Sequence, residues 1–258
     1  MFNEIRYQWL RMTWVANLAN KGAKVIMLAE EIVYVAPEVD SHSLKILKDA
    51  AIKNNIFIIG SYASLTDSTI KNKAMIISLK GEILSDCSKV HLFELEASRG
   101  MIAGNKIGLF QLDTIPSGIA ICKDLDYPDY IRSYDSGKPN VLFVPAFDFG
   151  KDGWLHSRMA IFRGIENGFS IVRTARNGKL TTSNYAGKVL NEESSISGKT
   201  VSLVGQGPLS FKPTLFGRWS DWFANIILIA AVILLYIALL GFSKEKLQTK
   251  VERQNEIQ

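Results

Sequence analysis

Gly118-Ile119-Ala120-Ile121-Cys122-Lys123-Asp124-Leu125-Asp126-Tyr127-Pro128 decides how this chain is read. The apolar run Gly118 to Ile121 predicts a short buried strand. It stops at a cysteine, turns polar, and meets a proline six residues on. Open α/β sheets present reactive groups at the C-terminal ends of such strands. A free cysteine is by default a small core residue, so Cys122 takes on meaning only in company. Two other apolar segments supply it. Val25-Ile26-Met27-Leu28 is followed at once by Ala29-Glu30-Glu31, and Cys87-Ser88-Lys89 opens the run Val90-His91-Leu92-Phe93. A thiol needs a base to act as a nucleophile near neutral pH. A tetrahedral intermediate needs positive charge or N–H donors at its developing oxyanion. A Glu, a Lys and a Cys supply base, oxyanion partner and nucleophile.

The elements around these points alternate. Arg6 to Ala19 has helical apolar spacing and closes at Asn20-Lys21-Gly22. Ser41 is placed to cap a second helix running to Asn54. Ile56–Ile59, Ile107–Leu112, Val141–Val144, Ser170–Thr174 and Val201–Val204 read as strands, and Trp154 to Asn167 as a helix ended by Gly168. Lys80-Gly81 between Ala74–Leu79 and Glu82–Leu84 is a hairpin signal, and Asn177-Gly178 and Ala186-Gly187 mark turns. Alternating strands and helices predict an α/β fold, and the hairpins a mixed sheet.

With 258 residues the chain has ample length for a core. Its net charge of +5 is spread through the sequence and forms no nucleic-acid stripe. Two cysteines make no disulfide framework, and His42, His91 and His156 have no metal-ligand spacing. Neither a metal nor another cofactor is expected. Phe223 to Phe242 is a charge-free apolar run of the length that spans a bilayer, roughly 20 residues. Trp219 and Trp222 flank one end and Lys244 and Lys246 the other. The basic residues up to Arg253 place the C-terminus in the cytoplasm and the main domain outside. The expected division is a catalytic domain over residues 1–210, a linker over 211–222, a transmembrane helix over 223–242 and a basic tail over 243–258.

VIMLAEE (Val25–Glu31), SKVHLFELE (Ser88–Glu96) and GIAICKDLDYP (Gly118–Pro128), in that order, resemble the nitrilase superfamily of carbon–nitrogen hydrolases. The resemblance continues through Gly153 to Gly168 and Arg173 to Gly178. It implies a four-layer αββα sandwich of mixed sheets, with Glu30 as general base, Lys89 as oxyanion lysine, Cys122 as nucleophile and the Lys123 N–H completing the oxyanion hole. Glu96 is the candidate second acid, with Glu94 as its rival, and Glu31 is the rival of Glu30. Arg163 and Glu166 are read as structural supports. The terminal apolar helix and the pattern at Trp154 and His156 are most similar to the membrane branch, the apolipoprotein N-acyltransferases. The departures are Ala29 where the family has Pro, Lys123-Asp124 after the cysteine, a short interval from Lys89 to Cys122, and the absence of the family's first strand and of upstream membrane helices. The expected substrate is a small amide, or an acyl lipid and a lipoprotein amine, and no nucleic acid partner is expected. Three functions follow: a membrane-anchored amidase, an N-acyltransferase, or a membrane-tethered protein without catalysis. Cys122 is expected to be the reactive, low-pKa thiol and Cys87 an inert one.

Overall fold

The protein is described from a computed structural model, which covers residues 13–30, 33–35, 37–66, 69–196 and 200–255. Glu31 and the first half of the expected N-terminal helix lie outside the described residues. The chain divides into one unit over residues 1–217 and a second over 218–258.

The first unit is built on two mixed sheets. Sheet one has the order β1 (Val25–Met27), β3 (Phe57–Thr66), β4 (Thr69–Ile77), β5 (Ile83–Ser88), with β2 (Val33–Val35) also paired to β3. Sheet two runs β11 (Val189–Ser194), β10 (Lys179–Ser183), β9 (Ser170–Arg176), β8 (Val141–Phe147), β7 (Ile115–Ile119), β6 (Gly108–Leu112). Strand alternation assigns the layers. In β3 and β4, Ile58 pairs with Ile77 and Ile59 with Ile76. Ile58 and Ile77 face outward, into a cluster with Val15 and Leu18 of α1 (residues 13–20) and Ala50 and Ala51 of α2 (Pro37–Asn54). Ile59 and Ile76 face inward, against Phe110, Ile119, Val141 and Phe143 of sheet two. The other face of sheet two carries Leu142, Val144 and Ile171, covered by Ile131 of α4 (Pro128–Arg132) and Ala160 of α5 (Gly153–Asn167). The layers are therefore helix, sheet, sheet, helix: the αββα sandwich expected.

This topology collects the strand ends. β1 runs parallel to β3, while β3–β4 and β4–β5 are antiparallel, so β1 and β5 end on the same edge. Glu30 and Lys89 follow those two ends. β7 and β8 are parallel, and Cys122 follows the first. The Glu30 N–H donates to Ala146 O at the end of β8 (3.3 Å), and Thr174 Oγ1 donates to Leu28 O (3.2 Å). These two bonds tie the sheets together at the edge where the three residues meet. Sheet one stops at β1 while sheet two continues through β10 and β11. The mismatch leaves an apolar cavity of about 1020 Å³ beside β1, lined by Trp14, Met27, Phe143, Val172 and Leu203 among others.

Several boundaries differ from the sequence reading. α2 begins at Pro37, not after a cap at Ser41; proline suits the first helical turn, where its missing N–H costs nothing. Val201–Val204 is not a strand: sheet two ends at β11, and this segment pairs with neither sheet. β7 stops at Ile119, although Ala120 still bonds to Phe143 O (3.1 Å). Cys87 lies within β5, packed against the inter-sheet core.

Two further short helices are α3 (Glu94–Ser98) and α6 (Leu215–Trp219). The second unit holds α7 (Trp222–Asn255). Its segment Trp222–Phe242 has mean hydropathy 2.8 and no buried residue within the unit, so by length and composition it is a candidate span.

Ile76→Ala, at a fully buried inter-sheet position, should destabilise the protein by about 2–5 kcal/mol. Ile83→Ala, at a 43 % exposed position, should cost less than about 0.5 kcal/mol. Denaturant titration followed by fluorescence compares them, and equal midpoints would contradict the layer assignment.

Candidate active site

The Lys89 ammonium lies between two carboxylates, 2.8 Å from Glu30 Oε1 and 2.7 Å from Glu96 Oε2, with all three side chains buried. Asn72 on β4 completes the cluster from the other side. Its Nδ2 donates to Glu30 Oε1 and to Glu96 Oε1, both at 2.7 Å. The Phe93 N–H donates to Glu96 Oε2 (2.7 Å). Glu96 is thus held at both oxygens, while Glu30 keeps Oε2 without a hydrogen bond from the described residues. Glu94, the rival second acid, is exposed.

Cys122 sits at a backbone corner. Its φ of +44° is in the left-handed region, which costs a non-glycine residue about 1–3 kcal/mol and recurs at functional sites. Ile121 before it is extended, and a 3-10 turn, Cys122–Asp126, begins at the cysteine itself. Asp124, fully buried, secures this corner. Its Oδ2 accepts from the Ile121 N–H (3.0 Å), and its Oδ1 accepts from the N–H groups of Val90 (3.1 Å) and His91 (2.7 Å). One carboxylate therefore fixes the cysteine turn and the residues just after Lys89 in a single register. From the helical layer, Arg163 Nε donates to Leu125 O in the same turn (3.0 Å), and the Arg163 guanidinium is paired with Glu166. The Lys123 N–H makes no hydrogen bond with the described residues, and the Lys123 ammonium lies 5.1 Å from the centre of the Phe93 ring.

Glu30, Lys89, Glu96 and Cys122 line one cavity of about 120 Å³, with Lys123, Phe147, Phe149, His156 and Arg173 among its other walls. Electrostatics set the resting proton positions. Burial, and then the Glu30 carboxylate, push the Cys122 thiol well above the ordinary range; Lys89 opposes them without prevailing. Burial disfavours the Lys89 ammonium, but the Glu30, Cys122 and Glu96 charges outweigh it and raise its pKa. Burial and Glu30 thus favour the neutral Cys122 thiol over the thiolate, the opposite direction to the expected low pKa. Cys87 is also pushed up, to about 12, by burial and then by Asp86 and Asp124.

Two contributors escaped the sequence reading. Asn72 lies between Lys71 and Lys73 in a strand that gives it no special mark. Asp124 stood out only as a departure from the family pattern. Among the described residues no group of His, Cys, Asp and Glu is placed to hold a metal ion.

A family model described as carbon-nitrogen hydrolase matches residues 6–211. The chain is 31% identical over 152 residues to 2-oxoglutaramate amidase of Bacillus subtilis, covering 56% of each protein. It is 26% identical over 193 residues to the apolipoprotein N-acyltransferase of Borreliella burgdorferi, covering 70% of this chain and 36% of that protein. The chain spans about half the length of the curated relatives it matches. In three dimensions it resembles an amidase from Nesterenkonia sp. AN1 solved with acrylamide added at its active site cysteine. The TM-score is 0.69 at 18% identity, over 84% of this chain and 91% of that one. The family match spans most of the sequence and the fold agrees with it: the chain belongs to the carbon-nitrogen hydrolase family of the nitrilase superfamily.

Proposed function

We propose that the protein is a membrane-anchored, cysteine-dependent amide hydrolase that works through a thioester. The observation that carries this reading is the buried Lys89 ammonium held by Glu30 and Glu96 in the cavity that Cys122 lines. The Cys122 thiol is neutral at rest, so attack and deprotonation go together. Glu30, through its free Oε2, takes the thiol proton as sulfur bonds to the amide carbon. The carbonyl oxygen becomes an oxyanion held by the Lys89 ammonium and the Lys123 N–H. The C–N bond then breaks, Glu30 returns its proton to the departing amine, and a thioester remains. Water attacks the thioester while Glu30 accepts a water proton; the acid leaves and the proton returns to sulfur. Glu96 and Asn72 keep Lys89 and Glu30 in place throughout.

A second reading is favoured by the acyltransferase relative together with α7. If an amine rather than water resolves the thioester, the same residues transfer an acyl group, with phospholipid as donor and a lipoprotein amine as acceptor. In both readings α7 crosses a membrane, with the catalytic domain outside and the residues after Phe242 in the cytoplasm.

Glu30→Gln and Lys89→Met should each lower amide turnover on the order of 100-fold or more, measured as ammonia release across a panel of short amides. Lys89→Met also leaves two buried carboxylates without their cation, a cost of about 3–5 kcal/mol. Circular dichroism should accompany the assay, and Glu30→Gln, which keeps the side-chain size, is the cleaner variant. Near-parental turnover in a folded Glu30→Gln protein would sink the assignment. For topology, single cysteines at Ser220 and Ser243 in a Cys87→Ser, Cys122→Ser background should label with an impermeant maleimide on intact cells at position 220 only. The opposite pattern would reverse the orientation and remove the acyl-transfer reading.

A further inference from the structure

Behind the catalytic cavity lies a carboxylate that the proposed chemistry does not use. Asp148, the residue after β8, is fully buried. Its Oδ1 accepts from Arg173 NH2 on β9 at 2.6 Å and lies 3.1 Å from His156 Nδ1 on α5. Its Oδ2 has no hydrogen-bond partner among the described residues. Two glycines let the carboxylate sit there. A Cβ at Gly178 would stand 1.8 Å from Asp148 Oδ2, and one at Gly153 would stand 2.8 Å from the Gly178 Cα. A buried carboxylate oxygen left unpaired is costly, and a fold that retains one calls for a reason.

The group that Asp148 holds is Arg173. Its guanidinium is buried, and NH1 donates to Lys179 O at 2.8 Å, so it is fixed at two points. Arg173 lines the catalytic cavity together with Cys122, whereas Asp148 stands outside that lining. The pair therefore turns its positive member towards the cavity and its negative member away. Phe147, the residue before Asp148, places its carbonyl oxygen 3.7 Å from Cys122 Sγ. Chain continuity thus ties the Asp148–Arg173 pair to the acceptor of the thiol itself. Arg173 acts on that thiol in the same direction as Lys89, against burial and Glu30.

We propose that Arg173 is a second positive charge supporting the Cys122 sulfur during the reaction, and that Asp148 is the positioning residue that keeps it there. The inference rests on the amidase reading and deepens it. The chemistry calls for such a charge because Lys89 is shared: it meets Glu30 and Glu96 and also holds the oxyanion. When the tetrahedral intermediate formed by water collapses, the oxyanion re-forms the carbonyl and the C–S bond breaks. The electron pair of that bond goes to sulfur, and the proton that Glu30 took from water follows it. Until the proton arrives, the sulfur carries negative charge beside a carboxylate cluster, and a fixed cation offsets it.

Alkylation by iodoacetamide tests this without a known substrate: an S–C bond forms at Cys122, iodide leaves, and the thiol proton passes to Glu30. In the full-length protein, peptide mass spectrometry gives the rate at Cys122 over a pH series, with circular dichroism as the check on folding. Arg173→Gln should slow alkylation at neutral pH by about tenfold and displace the rising limb of the pH profile upward by about one unit, the effect of removing one nearby opposite charge. Arg173→Lys, which keeps the charge, should recover most of the rate. Asp148→Asn separates positioning from charge. It removes a negative charge, which by charge alone would speed alkylation; by releasing Arg173 it should slow it. The Arg173→Gln, Asp148→Asn double variant leaves neither member of the pair unbalanced, and should be as slow as Arg173→Gln if that single variant fails to fold. A faster Asp148→Asn protein would overturn the positioning role of Asp148. Folded Arg173→Gln or double-variant protein with the parental rate and profile would overturn the inference and leave the amidase reading intact. A parental Cys122 that resists the reagent would overturn both.

Discussion

The site depends on an ammonium held between two carboxylates out of contact with water. Burying three charges is costly, and the cost is recovered only if each charge is met by an opposite charge or a hydrogen bond. Here Lys89 meets Glu30 Oε1 and Glu96 Oε2, Asn72 bridges Glu30 Oε1 and Glu96 Oε1, and the Phe93 N–H adds a second bond to Glu96 Oε2. Glu30 Oε2 is the exception, and in the proposed mechanism it is the atom that accepts the proton. Burial first, and then the Glu30 charge, push the neighbouring Cys122 thiol up, while Lys89 and Arg173 act in the opposite direction.

That cluster can form because the fold brings separate strand ends to one edge. Glu30 closes β1, Lys89 closes β5 and Cys122 follows β7, on two different sheets. Three polar contacts join those sheets at the same edge: Glu30 N–H to Ala146, Thr174 to Leu28, and Asp124 to both Ile121 and His91. Asp124 links the cysteine corner to the lysine strand, so a shift of either would break its bonds to the other. The left-handed Cys122 is a conformation that such over-determined surroundings sustain. The inter-sheet isoleucines and phenylalanines give the bulk attraction, and these few polar contacts set the register within it.

Much of this was legible in the sequence, for a physical reason. Glu30, Lys89 and Cys122 each break an apolar run, and a polar residue at such a break is visible without any structure. Strand and helix alternation predicted the α/β class and the hairpins the mixed sheet, while the layer arrangement was implied only by the resemblance that the three motifs carry. Asn72 was not legible, because a strand asparagine between two lysines reads as a solvated face until β3 and β5 enclose it. Asp124 was visible only as an oddity, since its partners Val90 and His91 lie more than thirty residues away in sequence. The upward push on the Cys122 thiol was not legible, because the sequence shows which charges exist but not how deeply burial weights them. Val201–Val204 had a strand's composition but pairs with no strand, and composition does not show pairing.

The central claim is that Cys122 rests as a neutral thiol and is activated by Glu30 only during attack. Ultraviolet thiolate absorbance of the Cys87→Ser protein, followed against pH, tests it most directly. The account predicts no thiolate at neutral pH and none as pH passes through the ordinary thiol range, about 8.5. A thiolate signal already present at neutral pH, and absent from a Cys122→Ser control, would contradict it.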